Sequence, residues 1–118
     1  MLSKEKNKYI LKIRGVDKIV FDCIKNNQKI IETRAATKKY RNIKIGDILV
    51  FACADNKLEK TVKKIEIYRN INEMVKVINF KDIMPFLNSV EEMEKVCFSF
   101  PNYKEKIKQF GIIAFTLE

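Results

Sequence analysis

Asp47-Ile48-Leu49-Val50-Phe51-Ala52-Cys53-Ala54 is an almost purely apolar run, and Asp55-Asn56-Lys57 follows it directly. A short apolar run bounded by turn residues reads as a strand covered on both faces, hence a central one. The tight turn at Asp55-Asn56-Lys57 sends the next strand back antiparallel. That strand runs from about Glu59 to Tyr68, and its apolar phase changes between Val62 and Ile65, which predicts a bulge or sharp bend. A bent hairpin around a buried strand is the nucleus of a small curled sheet.

Upstream, Tyr9-Ile10-Leu11-Lys12-Ile13-Arg14 alternates as a strand ended by Gly15. Val16, Ile19, Val20, Cys23 and Ile24 then recur at helical spacing, with Asp17 in the favourable first turn and Asn26-Asn27 as the stop. Lys29 to Arg34 reads as a strand, and residues 35–46 as a polar connection closed by the turn signal Ile45-Gly46-Asp47. Downstream, Asn70-Ile71-Asn72-Glu73 and Ser89-Val90-Glu91-Glu92 are capping boxes that each open a helix. The first carries Ile71, Met74, Val75 and Ile78 on one face; the second carries Val90, Met93, Val96, Cys97 and Phe100. A short turn around Phe80–Leu87 is broken by Pro85, Pro101-Asn102 ends the second helix, and Tyr103, Ile107 and Phe110 mark a last one stopped by Gly111. Ile112 to Leu117 closes as a strand. The order β-α-β-β-β-α-α-α-β lacks strict βαβ alternation, so the fold class is α+β. Its mostly antiparallel sheet should curl towards a β-barrel with helices packed around it, which removes free edges.

With 118 residues, 47% hydrophobic and 33% charged, the chain is one globular domain spanning 1–118, with a core from about residue 9. No apolar stretch approaches the ~20 residues of a membrane helix. Met1-Leu2-Ser3-Lys4-Glu5-Lys6 runs into charge and not into an apolar leader, so a cytoplasmic protein is expected, with no membrane partner. Histidine is absent, which excludes Ser-His-Asp and Cys-His catalysis and His-ligated zinc. Cys23, Cys53 and Cys97 are far apart, odd in number and set among apolar neighbours. They read as buried thiols, without a disulfide-linked partner. The one tight acidic group, Glu91-Glu92-Glu94, reads as a solvated first turn, so neither a metal nor another cofactor is expected.

The net charge of +9 is unevenly placed. Residues 1–44 hold 13 Lys/Arg against Glu5, Asp17, Asp22 and Glu32, a net of +9, whereas residues 45–118 balance 11 against 11. Such asymmetry points to one basic face and a polyanionic partner. Within it, Thr37-Lys38-Lys39-Tyr40-Arg41-Asn42 interleaves three cations with an aromatic ring, the combination that serves single-stranded nucleic acid.

Asn26-Asn27-Gln28-Lys29-Ile30-Ile31-Glu32-Thr33-Arg34 concentrates the polar chemistry. Strand alternation puts Glu32 and Arg34 on one face with Ile30. Lys29 joins them only if it lies in the turn before pairing begins, or at a bulge. This stretch resembles the signature of the ASCH domain, a family related to PUA domains, whose pattern is Gly-x-Lys-x-x-Glu-x-Arg; here it reads Asn27-x-Lys29-x-x-Glu32-x-Arg34. Asparagine also accepts the positive φ that the glycine supplies. Arg41 to Phe51, with Gly46-Asp47, is similar to the family's basic turn and following strand. Ser89-Val90-Glu91-Glu92 and Tyr103 through Phe115 are similar to its C-terminal helix and closing strand. Together these features span about residues 9–118.

The resemblance implies a PUA-like barrel with a cleft beside the signature strand, in which RNA or a nucleotide binds. On that reading Lys29 and Arg34 contact phosphate or ribose, and Glu32 accepts from a base amine or a 2′-OH. Lys38, Lys39 and Arg41 add phosphate contacts, and Tyr40 offers a stacking surface. The alternative is a hydrolase acting on a modified nucleoside or on RNA, amidohydrolase- or ribonuclease-like, with Lys29 and Glu32 as its acid–base pair. In the family's amidohydrolase branch a threonine is the nucleophile, and Glu32 stands at that position here, with Thr33 one residue off on the opposite face. A third reading is an interaction domain in which Glu32 and Arg34 only brace the strand.

Overall fold

The computed structural model describes residues 6–118; the leader reading of Met1–Glu5 lies outside the described residues. Five strands form one curled sheet in the order β1-β3-β4-β5-β2, where β1 is Lys8–Ile13, β2 Ile31–Ala35, β3 Ile48–Cys53, β4 Asn56–Tyr68 and β5 Ile112–Leu117. β1 runs parallel to β3, and every other pairing is antiparallel. The apolar run is thus an inner strand, as its composition requires.

The curl follows from the packing. One core cluster joins Leu11 and Ile13 of β1 to Phe51 of β3, Val62 of β4 and Ile113 and Phe115 of β5. β1 and β5 are three strands apart in the sheet, so only a curled sheet brings them together. The register break between Val62 and Lys64 supplies the bend at the place where the apolar phase changes. Curling stops at a half-barrel: β1 and β2 are the two ends of the sheet, and an open seam lies between them. Helix α1 (Lys18–Lys25) connects these two end strands and sends Phe21 and Ile24 into the same core.

The outer face of β2 and β5 carries a second core. Ile31, Ala35, Ile112 and Ala114 meet Ile71 and Met74 of α3 (Ile71–Val75), Met93 and Cys97 of α4 (Val90–Phe98) and Ile107 of α5 (Tyr103–Phe110). Both capping boxes form at their first half. Asn70 accepts from the Glu73 amide at 2.9 Å, and Ser89 Oγ from the Glu92 amide at 3.2 Å. No helix among the described residues is long and apolar enough to cross a membrane.

Three local readings are corrected. Residues 35–46 are not wholly irregular: Lys38–Arg41 make one helical turn, α2. The helix after β1 begins with a 3₁₀ turn at Gly15–Asp17, so Val16 lies ahead of α1, and Ile19 falls in the first turn of α1. Both stand exposed, 85% and 51%. The hairpin turn lies one residue earlier than predicted, because Cys53 already pairs with Asn56 and leaves Ala54-Asp55 as the loop. Ala54 takes φ +52°, a left-handed conformation that costs an alanine about 1–2 kcal/mol and a glycine none. Ala54→Gly should therefore stabilise the protein by about 0.5–1 kcal/mol after glycine's own entropy cost, a rise of a few degrees in thermal midpoint.

Candidate functional site

The site begins where α1 ends. Asn27 takes φ 61°, and its side-chain oxygen accepts from Lys60 Nζ at 2.6 Å. The amides of Gln28 and Lys29 both turn back to the Cys23 carbonyl. β2 starts only at Ile31, so Lys29 precedes the alternating part of the strand and is free to turn onto the Glu32 face. Its three N–H groups are all engaged: with the Ile31 carbonyl at 2.8 Å, the Ile83 carbonyl at 2.7 Å and Glu32 Oε1 at 3.3 Å.

Glu32 is 6% exposed and Lys29 3%. Besides Lys29, the Glu32 carboxylate accepts from the Thr33 amide at 3.1 Å and from Arg34 Nη2 at 3.0 Å. Burial alone would push the Glu32 carboxyl up. The Lys29 ammonium and then the Arg34 guanidinium outweigh burial and hold it below the ordinary carboxylate range. Burial pulls Arg34 down, but Glu32 and nearby tyrosines reverse this and raise it. Arg34, with 24% of its side chain exposed, is the member of this triad that reaches the surface.

The acid–base reading of Lys29 and Glu32 needs a Glu32 carboxyl raised towards neutrality, and here it is lowered. With every Lys29 proton committed, the pair forms a rigid floor that aims Arg34. Thr33 lies opposite Ala114, on the row that faces the helices. The Lys29–Ile83 bond also ties this floor to the segment after the 3₁₀ turn Phe80–Asp82.

Above the floor lies a cleft of about 490 Å³ at the β1–β2 seam. β1 contributes Lys12, the residue just after it is Arg14, the α4–α5 region supplies Cys97, Phe100, Tyr103 and Lys106, and the segment after residue 82 Met84 and Phe86. Five cations, Lys12, Arg14, Lys29, Arg34 and Lys106, face two carboxylates, Asp17 and Glu32. Aromatic rings back the guanidinium groups. Arg34 sits 5.8 Å from the Tyr40 ring centroid, Arg14 sits 5.0 Å from that of Phe100, and Phe100 meets Tyr103 edge-on at 5.9 Å. Burial lifts the Tyr103 phenol, whose hydroxyl donates to the Thr33 carbonyl at a long 3.4 Å. Burial likewise lifts the Cys97 thiol to about 11, and all three thiols are free and buried.

The residues singled out from the basic stretch separate. Tyr40 lines the cleft. Lys38 and Lys39 are exposed on α2 outside it, with Lys39 Nζ 5.3 Å from the Tyr40 ring centroid. Arg41 is a fastener: its Nε donates to the Ala36 carbonyl at 2.5 Å and its Nη2 to the Phe110 carbonyl at 2.7 Å, locking α2 against the end of α5. Arg14, Phe100, Tyr103 and Lys106 escaped the sequence reading. Only the three-residue spacing of Arg14 and Asp17, which pair at 2.7 Å, hinted at the first of them.

No family model matches the sequence. No curated protein matches it either. Solved structures do. The hypothetical protein PH0355, known from a crystal structure, is 32% identical over 94% of this chain and 97% of its own, with a TM-score of 0.81. Protein PF0455 from Pyrococcus furiosus, solved by NMR in solution, is 30% identical over 94% of this chain and 96% of its own, with a TM-score of 0.75.

Proposed function

We propose that this chain, which belongs to one family with PH0355 and PF0455, is an ASCH-type domain that binds RNA or a nucleotide in the cleft beside β2. One observation carries the reading: the cleft lining has five cations against two carboxylates, set among aromatic side chains. Cationic groups beside aromatic rings suit phosphate and base together. The volume of about 490 Å³ falls in the ~300–1,000 Å³ range of small-molecule sites and suits about one nucleotide. The binding reading is favoured over acid–base chemistry because Glu32 is stabilised as a carboxylate and Lys29 is fully engaged.

The test is fluorescence anisotropy of a labelled single-stranded RNA across a salt series. Arg34→Met is the informative variant, because it leaves Glu32 paired with Lys29. Loss of one charge-assisted contact should weaken binding about tenfold or more, and reduce the salt slope by about 0.7. Lys38→Ala with Lys39→Ala, outside the cleft, should weaken binding of long RNA only, and only at low salt. Absent binding at physiological salt, or an unaffected Arg34→Met, would refute the reading.

A further inference from the structure

Arg14 lies outside the Asn27–Arg34 stretch, and its surroundings are built. Asp17 Oδ2 takes its Nε at 2.7 Å, and the Phe100 ring supports its guanidinium carbon at 5.0 Å. Held at Nε by Asp17, Arg14 has no other hydrogen-bond partner for its two Nη groups among the described residues. Arg34 enters the same cleft, with one Nη committed to Glu32. The two guanidinium groups come from the residue that follows β1 and from β2, the strands that flank the open seam. Phe100 links their surroundings, carrying Arg14 on its face and meeting Tyr103, whose phenol lies within electrostatic reach of Arg34.

A guanidinium fork matches the oxygen pair of a phosphate. Two forks on one small cleft match a group with more than one charge and three free oxygens. A terminal phosphomonoester has both, at about −1.5 to −2 near neutral pH. An internal phosphodiester has one charge and two free oxygens. Building on the nucleotide-binding reading, we infer that Arg14 and Arg34 form a clamp for the terminal phosphate of a nucleotide, supplied as a free nucleoside monophosphate or as a phosphorylated RNA end. Asp17 and Phe100 act as positioning residues for Arg14.

The test titrates the protein, followed by backbone amide NMR shifts, with the four ribonucleosides, their 5′-monophosphates, and an eight-nucleotide RNA carrying either a 5′-phosphate or a 5′-hydroxyl. At least one monophosphate or the phosphorylated RNA should bind about tenfold tighter than its unphosphorylated counterpart. Arg14→Met, at a side chain 62% exposed, should keep the wild-type melting temperature and erase most of that preference. Asp17→Asn should reduce the preference without erasing it, since the guanidinium remains. A gain for monophosphates identifies a free nucleotide as sufficient, and a gain for the RNA alone identifies an RNA end; either supports the clamp. Phosphorylated and unphosphorylated probes binding equally would overturn the clamp and leave the nucleotide reading standing, as would an Arg14→Met protein with its preference intact. If no probe binds, both fall.

Discussion

Glu32→Ala should lower stability by about 3–5 kcal/mol, the usual cost of removing one partner from a buried charge pair. The loss arises because Lys29, 3% exposed, keeps its charge in place with only two carbonyls to hold it, and the Thr33 amide loses its acceptor. For a chain of 118 residues this corresponds to a fall of roughly 10–20 °C in melting temperature. Removing Lys29 as well takes away the stranded charge. The double variant Lys29→Met with Glu32→Leu should therefore melt above Glu32→Ala, since replacing a whole buried pair by apolar groups is often close to neutral. Arg34, the partly exposed member, then turns to water. The acid limb gives an independent check. The folded-state pKa of Glu32 lies below its ordinary value of 4.5, so its contribution is complete above that pH and drains away as pH falls through the folded value. Glu32→Gln should lose that part of the acid sensitivity, and a Gln variant whose stability falls as steeply below pH 4.5 as the wild type's would refute the assignment.

This result also separates bracing from recognition. A Glu32 variant that binds RNA poorly reports a loosened floor as readily as a lost ligand contact. Arg14 and Tyr40 are the cleanest probes, because each stands in the cleft without a bond to Glu32, and Arg34 follows them because its loss still leaves Glu32 paired with Lys29.

What could be read from the sequence was local in its physics. The two caps, the β3–β4 hairpin and the bulge after Val62 are each written within a few neighbouring residues. The condition placed on Lys29, that it precede the paired strand, depends only on where β2 starts. Errors came where a local signal competed with packing or phase. Asp55-Asn56 is a strong turn signal, yet Asn56 pairs with Cys53 and hands the turn to Ala54. Val16 matches a helical period that the 3₁₀ turn breaks. The far wall of the cleft was beyond reach for a different reason. Arg14 and Phe100 come from opposite ends of the chain, and their contact exists only because the sheet curls and α4 closes over its outer face.

Gly111→Ala should be comparably severe, from the backbone instead of from charge. Gly111 joins α5 to β5 at φ 84° and ψ −172°, a region essentially reserved for glycine. A Cβ added there would lie 2.6 Å from the Tyr68 carbonyl oxygen, which is backbone and has no rotamer to escape through. Strain of about 1–3 kcal/mol combines with that clash, so a total loss of about 3–5 kcal/mol is expected. The junction cannot shift cheaply. The Gly111 amide donates to the Ile107 carbonyl at 2.7 Å, and the Gly111 carbonyl accepts from the Ala36 amide at 2.8 Å. Arg41 holds the neighbouring Phe110 carbonyl at 2.7 Å. Movement here would also displace Ile112 and Ile113, fully buried in the two separate cores, and pull on the end of β2 beyond Arg34. Gly111→Ala should therefore reduce ligand binding in the cleft along with stability, although residue 111 does not line it. A D-alanine placed at 111 by chemical synthesis separates the two causes. Its side chain suits positive φ and avoids the position that meets Tyr68, so it should restore most of the lost stability. If D-alanine proved as damaging as L-alanine, the strained junction would not be the origin of the loss.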